Sequence, residues 1–244
     1  MARRHVIGAL WLCLAVGAGC QGMTQSPEAV TPAAVPSANG TATTNVNELV
    51  DRHRQELQNR SHTTTVTLTV GYPNGTTARR TDTFAIGSGN RFRYERRTVG
   101  PYPERLDNIT VWQNGSREVR RENGTVTVQT SAGVDDTSLS QYLRRILGVF
   151  ELQAESTATG YRLTGSAERA QSIPLPAVLL DHRSATAELA VRDGVLRTVV
   201  VDLRADRYDS ASTVDVEIAV AVTAVGETTP TRPAWAADAA ATGS

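Results

Sequence analysis

The side chains that most often perform catalysis are few and scattered in this sequence. No Gly-x-Ser-x-Gly, Cys-x-x-Cys, His-Glu-x-x-His or phosphate-loop motif occurs. The histidines beyond residue 19 stand in no pattern with a nucleophile; they are His53, His62 and His182. Three carboxylates cluster near a strand end, at Asp202, Asp206 and Asp209, without the glycine and terminal Glu of a calcium loop. A solvated turn explains these three carboxylates better than a calcium site does. Because no motif for catalysis or for metal or cofactor binding occurs, we expect no enzyme, no metal and no cofactor.

Adjacent arginines offer a second kind of chemistry, because guanidinium groups bind anionic lipid headgroups. Three such pairs occur, at Arg79 and Arg80, Arg96 and Arg97, and Arg120 and Arg121. Acidic residues accompany them, including Glu95, Glu118 and Glu122. Mixed charges of this kind are typical of solvated strand faces, which is the interpretation that we favour over headgroup binding.

Cys20 follows an N-terminal segment with the features of an export signal. Arg3 and Arg4 precede an apolar run over 6–18, which is too short to span a bilayer. Small residues lead up to Cys20, and a cysteine at a cleavage point can carry lipid. We predict a lipoprotein signal peptide at 1–19, with a twin-arginine variant, and a lipid anchor at Cys20 on the extracytoplasmic face of the cell membrane. Cleavage after Ala18, which would give a free secreted protein, is the alternative.

The composition limits the classes of partner. The 244 residues suit one domain with tails, and all 25 basic residues are arginines. Without residues 1–19 the chain has 23 arginines and 25 acidic residues, a net charge of −2. That balance is not the basic footprint of a nucleic-acid-binding protein. Cys20 is then the only thiol, which excludes an intramolecular disulfide. We expect a monomer with a lipid or hydrophobic small molecule as its partner.

Several Asn-x-Ser/Thr sequons fit an exported glycoprotein. The candidates are Asn59, Asn74, Asn108, Asn114 and Asn123, with a further sequon at Asn39. In four of the six sequons Gly follows the Asn, and Asn-Gly is also the favoured two-residue hairpin turn. Turn formation is therefore an equally good explanation for these four.

The chain is organised as one domain between two weakly apolar segments. Residues 20–44 hold the lipidated Cys and a Thr/Pro/Ala-rich disordered tether, and 227–244 are similar and predict a flexible tail. Within 45–226, two segments have helical apolar spacing, one after Asn45 and one after Ser138, and each of these two residues begins a capping box. The second helix has the stronger stripe, formed by Leu139, Tyr142, Leu143, Ile146, Leu147 and Phe150.

The rest of the domain alternates with period two between short turns, which predicts a meander of hairpins. The fold class that follows is α+β: a curled antiparallel sheet of seven to nine strands, or half-barrel, with two main helices on its concave face. Such a sheet either fills itself with side chains or keeps a cavity. The predicted lining of that cavity is Val66, Leu68, Phe84, Ile86, Phe92, Tyr94, Leu139, Leu143 and Leu147. An acyl or isoprenoid chain would suit such a lining.

In the order of its elements the chain resembles surface lipoproteins of halophilic archaea, which are related to the LolA/LppX/LprG-like lipid-carrier fold. The resemblance begins with the helix that follows Asn45 and continues through the Thr-rich strand and hairpin meander to Pro233 and Trp235. It implies an open half-barrel whose helix-capped face holds lipid or a lipidated partner. We therefore expect a membrane-anchored, non-catalytic lipid-binding protein. The alternative is a structural or sensory envelope protein with a filled core that acts through protein–protein contacts.

Overall fold

The computed structural model describes residues 44–103, 106–131, 137–168, 173–176, 179–208 and 212–241. The predicted signal peptide, Cys20 and the predicted tether up to residue 43 lie outside the described residues, so export and lipidation stay predictions. Asp209 and Asn39 lie outside them as well. Within the described ranges, no helix is long and apolar enough to cross a bilayer.

Three helices and eleven strands make up the described part of the chain. In sequence order they are α1 (Val46–Leu57), β1 (His62–Gly71), β2 (Thr77–Ile86), β3 (Arg91–Val99), β4 (Ile109–Asn114), β5 (Arg117–Glu122), β6 (Thr125–Thr130), α2 (Thr137–Leu147), β7 (Gln153–Thr157), β8 (Gly160–Ala167), β9 (Leu179–Arg192), β10 (Val195–Arg207), β11 (Thr213–Thr223) and α3 (Ala234–Ala241). The predicted α+β class with an antiparallel sheet is confirmed. The predicted number of strands, seven to nine, is wrong.

All eleven strands belong to one open antiparallel sheet. Its order is β6-β5-β4-β3-β2-β1-β11-β10-β9-β8-β7, so β1 and β11 pair at the centre and β6 and β7 form the two edges. Because β6 and β7 are consecutive in the chain, the connection between them has to cross the sheet from one edge to the other. That connection contains α2.

The two-residue turns of the meander follow from backbone chemistry. Asn123 and Gly124 have φ angles of 49° and 84°, and Asp193 and Gly194 have 52° and 72°. Two successive positive φ angles match the right-handed twist of the strands that they join, and Asn, Asp and Gly tolerate them best. These turns therefore fix the register of β5 with β6 and of β9 with β10.

Helix α1 begins where its sequence predicts. The Asn45 side chain accepts hydrogen bonds from the backbone N–H groups of Asn47 (3.0 Å) and Glu48 (3.4 Å). The Asn45 amide also donates to Glu48 Oε1 at 3.2 Å, which completes a reciprocal cap.

Helix α2 differs from the prediction at both ends. It begins at Thr137, so Ser138 is a first-turn residue, and its predicted role as the N-cap is wrong. The helix ends at Leu147, and Phe150 packs into the core from the turn that follows. The apolar stripe thus continues past the end of the helix because the next turn folds back onto the same core.

Strand β7 and the first half of β9 have no predicted counterpart. Strand β7 has one partly buried apolar residue, Ala154, and is held to β8 by backbone pairing, so it shows no apolar alternation. Strand β9 begins at Leu179, whereas the period-two alternation of the sequence predicts a strand only over 186–192. The register with β10 shifts around Ala205, and such irregularities interrupt the period of two on which the prediction depended.

We call the face of the sheet against which α1 and α2 pack the inner face. Its core combines Val50 of α1 with Leu143, Ile146 and Leu147 of α2, and all four side chains are fully buried. The strands contribute inner-face aliphatic residues such as Ile218 and Leu189, each also fully buried. Burying one such side chain contributes about 1.5–3 kcal/mol, so this aliphatic contact is the main source of stability.

The opposite, outer face is partly covered by the C-terminal segment. Helix α3 places Ala236, which is fully buried, against Trp112 and Val119. The segment 227–241 thus differs from the flexible tail that we expected, because Trp112 projects from the outer face of β4 and this segment buries it.

Burial of His53 generates a prediction about pH. Its side chain is 1% exposed, and its Nδ1 accepts from the Leu196 N–H at 3.3 Å. Burial, helped by electrostatic repulsion from the neighbouring His62 and Arg197, lowers the pKa of His53 from 6.5 to about 4. The unfolded chain therefore binds a proton at this residue between pH 6.5 and 4 that the folded chain does not.

We expect the free energy of unfolding to decrease as the pH falls through this window, by about 3 kcal/mol at its lower end. His53→Gln retains an acceptor for Leu196 without a titrating group, so its stability should depend less on pH over the same range. Urea unfolding of both proteins at a series of pH values measures the difference. Parallel pH profiles would contradict the assignment.

Candidate ligand-binding cleft on the inner face

A single row of side chains shows how the inner face changes across the sheet. From edge to edge it reads Thr125, Glu122, Ile109, Arg96, Asp82, Val66, Val220, Val199, Leu189, Leu163 and Ala154. All members from Val66 onward are apolar, whereas the members before it include three charged residues. We call β1 with β7–β11 the aliphatic half and β2–β6 the mixed half.

A cleft of about 560 Å³ lies where the two halves meet. Its floor is formed by β1, β2 and β3, and the start of α2, Tyr102 and the segment 174–176 form its walls. The lining residues are Thr64, Val66, Leu68, Arg80, Asp82, Phe84, Ile86, Phe92, Tyr94, Arg96, Tyr102, Ser138, Leu139, Tyr142, Pro174, Leu175 and Pro176.

Aromatic side chains dominate the apolar part of the floor. Phe84 stacks on Tyr94 with 4.9 Å between ring centroids and lies 6.4 Å from Phe92. Each of the three rings is half-buried, although the chain has only three phenylalanines in all. Strand register explains the grouping, because Phe84 pairs with Tyr94 and Ile86 pairs with Phe92 across β2 and β3.

A charged cluster adjoins these rings. Asp82 is 5% exposed and pairs with Arg96 in the strand register. Its Oδ2 accepts from Arg80 Nε at 2.6 Å, and its Oδ1 accepts from the Tyr94 hydroxyl at 2.6 Å and from Arg96 Nε at 3.0 Å. Two guanidinium groups thus share one carboxylate, and the cluster has a net charge of +1.

Two phenols of the cleft, those of Tyr94 and Tyr142, remain protonated at neutral pH. Burial and the hydrogen bond to Asp82 raise the pKa of Tyr94 well above its usual value. Burial raises the pKa of Tyr142 to about 12, although the positive charge of Arg80 opposes that shift. Thr64 adds a fully buried hydroxyl that has no hydrogen-bond partner among the described residues. The cleft therefore contains neutral hydroxyl groups beside its charged cluster.

The structure separates the nine residues of the predicted cavity into two groups. Seven of them line the cleft, namely Val66, Leu68, Phe84, Ile86, Phe92, Tyr94 and Leu139. Leu143 and Leu147 are fully buried in the core instead, because only the first turns of α2 face the mixed half. Whether the cleft holds a ligand stays a prediction.

The cleft also contains three charged residues outside the predicted lining, namely Arg80, Asp82 and Arg96. A signal for them exists, since they have the same even parity as Phe84, Ile86 and Tyr94 on two adjacent strands. In each of the pairs Arg79–Arg80 and Arg96–Arg97, alternation directs one arginine into the cleft and leaves the other exposed on the outer face. In the third pair, Arg120 binds Glu122 at 2.9 Å.

The other candidate groups have structural roles where the structure describes them. His62 is buried and its Nδ1 lies 2.9 Å from the Arg60 carbonyl oxygen, and Asp206 accepts from Thr213 Oγ1 at 2.7 Å. Among the described residues, no group of His, Cys, Asp and Glu side chains could hold a metal ion.

The five sequons beyond the tether lie on the surface. Asn59, Asn74, Asn108, Asn114 and Asn123 are exposed, and Asn108 also accepts a hydrogen bond from the Thr98 N–H at 2.9 Å. Asn123 forms a hairpin turn with Gly124, as the alternative explanation requires. Glycosylation stays a prediction.

The division of α2 between core and cleft can be tested by two truncations. We expect Leu143→Ala to cost about 2–5 kcal/mol of unfolding free energy, because it leaves a void in the filled core. Leu139→Ala should cost about 1 kcal/mol, since Leu139 is half-buried beside an open cleft. Chemical denaturation followed by circular dichroism measures both. Equal losses would mean that α2 buries the two leucines alike.

Comparison with known proteins assigns no family. No protein-family model matches the sequence, and no curated protein matches it. Among solved structures, the chain is similar to LprF from Mycobacterium bovis, with 9% identity, 79% of this chain and 99% of that chain covered, and a TM-score of 0.38. It is also similar to a LolA superfamily protein from Nitrosomonas europaea, with 7% identity, 78% and 96% covered, and a TM-score of 0.25.

A third similar structure is the MucA/MucB complex of Pseudomonas aeruginosa, with 12% identity, 77% of this chain and 59% of that chain covered, and a TM-score of 0.27. The similar structures thus include the LolA group named by the sequence resemblance. At these identities and TM-scores, the likeness assigns neither a family nor an activity.

Proposed function

We propose that this protein is an extracytoplasmic lipoprotein, anchored through Cys20, that binds a lipid or another hydrophobic molecule in the inner-face cleft without changing it chemically. The observation that carries this proposal is the half-buried apolar floor formed by Phe84, Ile86 and Phe92 beside a core that is otherwise filled. A monomer that leaves such a surface partly open gains free energy when a hydrophobic ligand covers it.

The size and form of the cleft suit a hydrocarbon chain. Its volume of about 560 Å³ lies inside the range of ~300–1,000 Å³ that is usual for small-molecule sites. A sheet of eleven strands curls as its twist accumulates, which would make the inner face the concave side of a half-barrel. Such curvature would surround a ligand on the mixed half, as α1 and α2 already cover the aliphatic half.

Binding without catalysis agrees with the chemistry of the lining. Arg80, Tyr94 and Arg96 bind Asp82, and the phenols of Tyr94 and Tyr142 hold their protons at neutral pH. Catalysis by acid and base would need a group that exchanges a proton near neutral pH. The buried His53 lies in contact with the backbone of Leu196 and does not line the cleft.

The proposed anchor would leave the domain free to reach other molecules. Residues 21–45, 25 in all, separate Cys20 from the start of α1. A flexible chain of that length has an end-to-end distance of roughly 27 Å. This reach would allow the cleft to face either the membrane surface or a soluble partner.

A second candidate function, protein–protein contact in the envelope, is favoured by one specific observation. Strand β6 is an edge of the sheet, and all six of its residues are exposed, including Val126 at 39% and Val128 at 45%. An uncharged, exposed edge can pair with an extended segment of another protein. This function would use a different surface from the cleft, so the two candidates can be tested separately.

Obstruction of the cleft tests the first candidate. We expect the full chain, produced with its own leader, to carry a lipid that native mass spectrometry detects and organic extraction identifies. Ile86→Trp should reduce the bound fraction about tenfold, or ~1.4 kcal/mol, because the indole occupies the end of the aromatic floor. Thr83→Trp is the matched control, three residues away on the outer face of the same strand. Equal occupancy in the two variants would contradict binding in the cleft.

Removal of the proposed lipid attachment site tests the anchor. We expect Cys20→Ser to move the protein from the membrane fraction to the soluble fraction of the exporting cell, because one thiol carries the lipid. The mass of the wild-type N-terminal peptide is the second measurement. A free peptide that begins at Gly19 would establish cleavage after Ala18 and a secreted protein instead.

A further inference from the structure

The charged cluster in the cleft is not balanced within the described residues. Arg80 and Arg96 each direct Nε to Asp82, which is the carboxylate that lines the cleft with them. A guanidinium group has five N–H donors, so the terminal nitrogens of both arginines remain available to a further acceptor. The side chains of Arg80 and Arg96 are 30% and 22% exposed, so both guanidinium groups are partly withdrawn from water, and a further anion would balance their excess positive charge.

The nearby cation Arg120 provides a contrast. It lies on the inner face of β5, and Glu122 accepts hydrogen bonds from its Nε at 3.1 Å and its Nη2 at 2.9 Å. That pair is neutral and does not line the cleft. In the cleft the excess positive charge lies where Arg80 and Arg96 meet Asp82. On the outer face of β3, Arg93 and Arg97 share Glu95 in a similar way, but Arg97 is exposed to water.

The register places this charge at one end of the apolar floor. The pair of Asp82 and Arg96 is followed along the two strands by Phe84 with Tyr94, and then by Ile86 with Phe92. At about 3.3 Å per residue, the four steps from Asp82 to Ile86 cover about 13 Å. A molecule that lies along β2 and β3 would thus meet cations at one end and hydrocarbon or aromatic groups along the rest.

The cleft also contains neutral hydroxyl groups. Tyr142 of α2 lines its wall as a protonated phenol. Thr64 pairs with Phe84 in the floor and has a buried hydroxyl without a hydrogen-bond partner among the described residues, so it lies beside the aromatic rings and not at the charged end.

We infer that the ligand of this cleft is an amphiphile with one anionic group, a carboxylate or a phosphate, bound between Arg80 and Arg96 with its hydrocarbon chain over Phe84, Ile86 and Phe92. This inference rests on the proposed function and specifies its substrate class. It favours fatty acids or acidic lipids over neutral lipids of the same chain length.

The test compares ligands that share a chain and differ in the headgroup. Oleate, oleoyl lysophosphatidate and oleyl alcohol are added to the delipidated full chain at pH 8, below their micelle concentrations, and binding is followed by native mass spectrometry. We expect the two anionic probes to bind at least about tenfold more tightly than the alcohol, as charge-assisted hydrogen bonds to arginine predict. The tighter of the two anionic probes identifies the preferred headgroup.

Arg96→Gln is the decisive variant, because it leaves Arg80 and Asp82 as a neutral pair and creates no unpaired buried charge. Oleate binding should weaken about tenfold, whereas binding of oleyl alcohol should change by less than about twofold. Arg97→Gln is the matched control, since its side chain is 74% exposed on the other face of β3. Thermal unfolding of both variants verifies that the fold is kept.

The outcomes separate the inference from the proposed function. If all three probes bind with equal affinity and Arg96→Gln changes none of these affinities, the inferred preference for an anionic headgroup is wrong. The proposed lipid binding would still stand. Failure of every probe to bind would overturn both. If inorganic phosphate binds as tightly as the lysophosphatidate, the hydrocarbon chain of the ligand contributes nothing to affinity. That result would show a plain anion site and would contradict the inference that the ligand is an amphiphile.

Discussion

The path of the chain from β6 to β7 constrains the rest of this structure. These two strands are neighbours in sequence, yet they are the opposite edges of an eleven-stranded sheet. The connection must therefore cross one face, and α2 is the part of it that packs there. Its amphipathic stripe buries Leu143, Ile146 and Leu147 against the aliphatic half. One helix of eleven residues cannot cover eleven strands, so the mixed half is left partly open.

The composition of the strands agrees with this unequal covering. Strands β10 and β11 carry inner-face Val, Leu and Ile side chains that fill a close-packed core beneath α1 and α2. On β2 and β3 the equivalent positions hold aromatic rings that keep part of their surface exposed, and charged groups that bind one another. From the sequence we expected either a filled core or a cavity. The structure contains a filled core in one half and a cleft beside it.

How much could be predicted from the sequence depended on whether a signal was local. Asn45 and Glu48 cap α1 through bonds within one turn, and the turn at Asn123 and Gly124 needs only its own backbone angles, so both could be predicted from local sequence. Strand β7 could not be predicted from apolar alternation, because backbone pairing with β8 holds it in the sheet and it has no apolar face. Leu139 and Leu143 belong to one apolar stripe of α2. Leu139 lines the cleft and Leu143 lies in the core only because of where α2 sits over the sheet.

The arginine pairs illustrate the same limit at the site. Adjacent arginines accompanied by acidic residues indicate a solvated strand face. The exposure of Arg79 and Arg97 agrees with that interpretation. Alternation sends Arg80 and Arg96 to the opposite face, where register with Asp82 brings all three together. Neither the pairing of β2 with β3 nor the open half of the sheet can be read from one strand. The grouping of these arginines in the cleft therefore appears only when strand register and helix position are known together.

The presence of charge in the cleft has an energetic consequence. Replacement of a buried ion cluster by apolar side chains of similar volume is often neutral or stabilising, so stability alone does not favour Asp82 with two arginines. The tyrosine hydroxyl and the two Nε groups occupy the carboxylate and hold each guanidinium in a fixed orientation. Donors that are oriented before a ligand arrives lose little entropy on binding it. The cluster is thus better suited to recognise an anion than to hold the sheet together, and the aliphatic half supplies the stability that this arrangement requires.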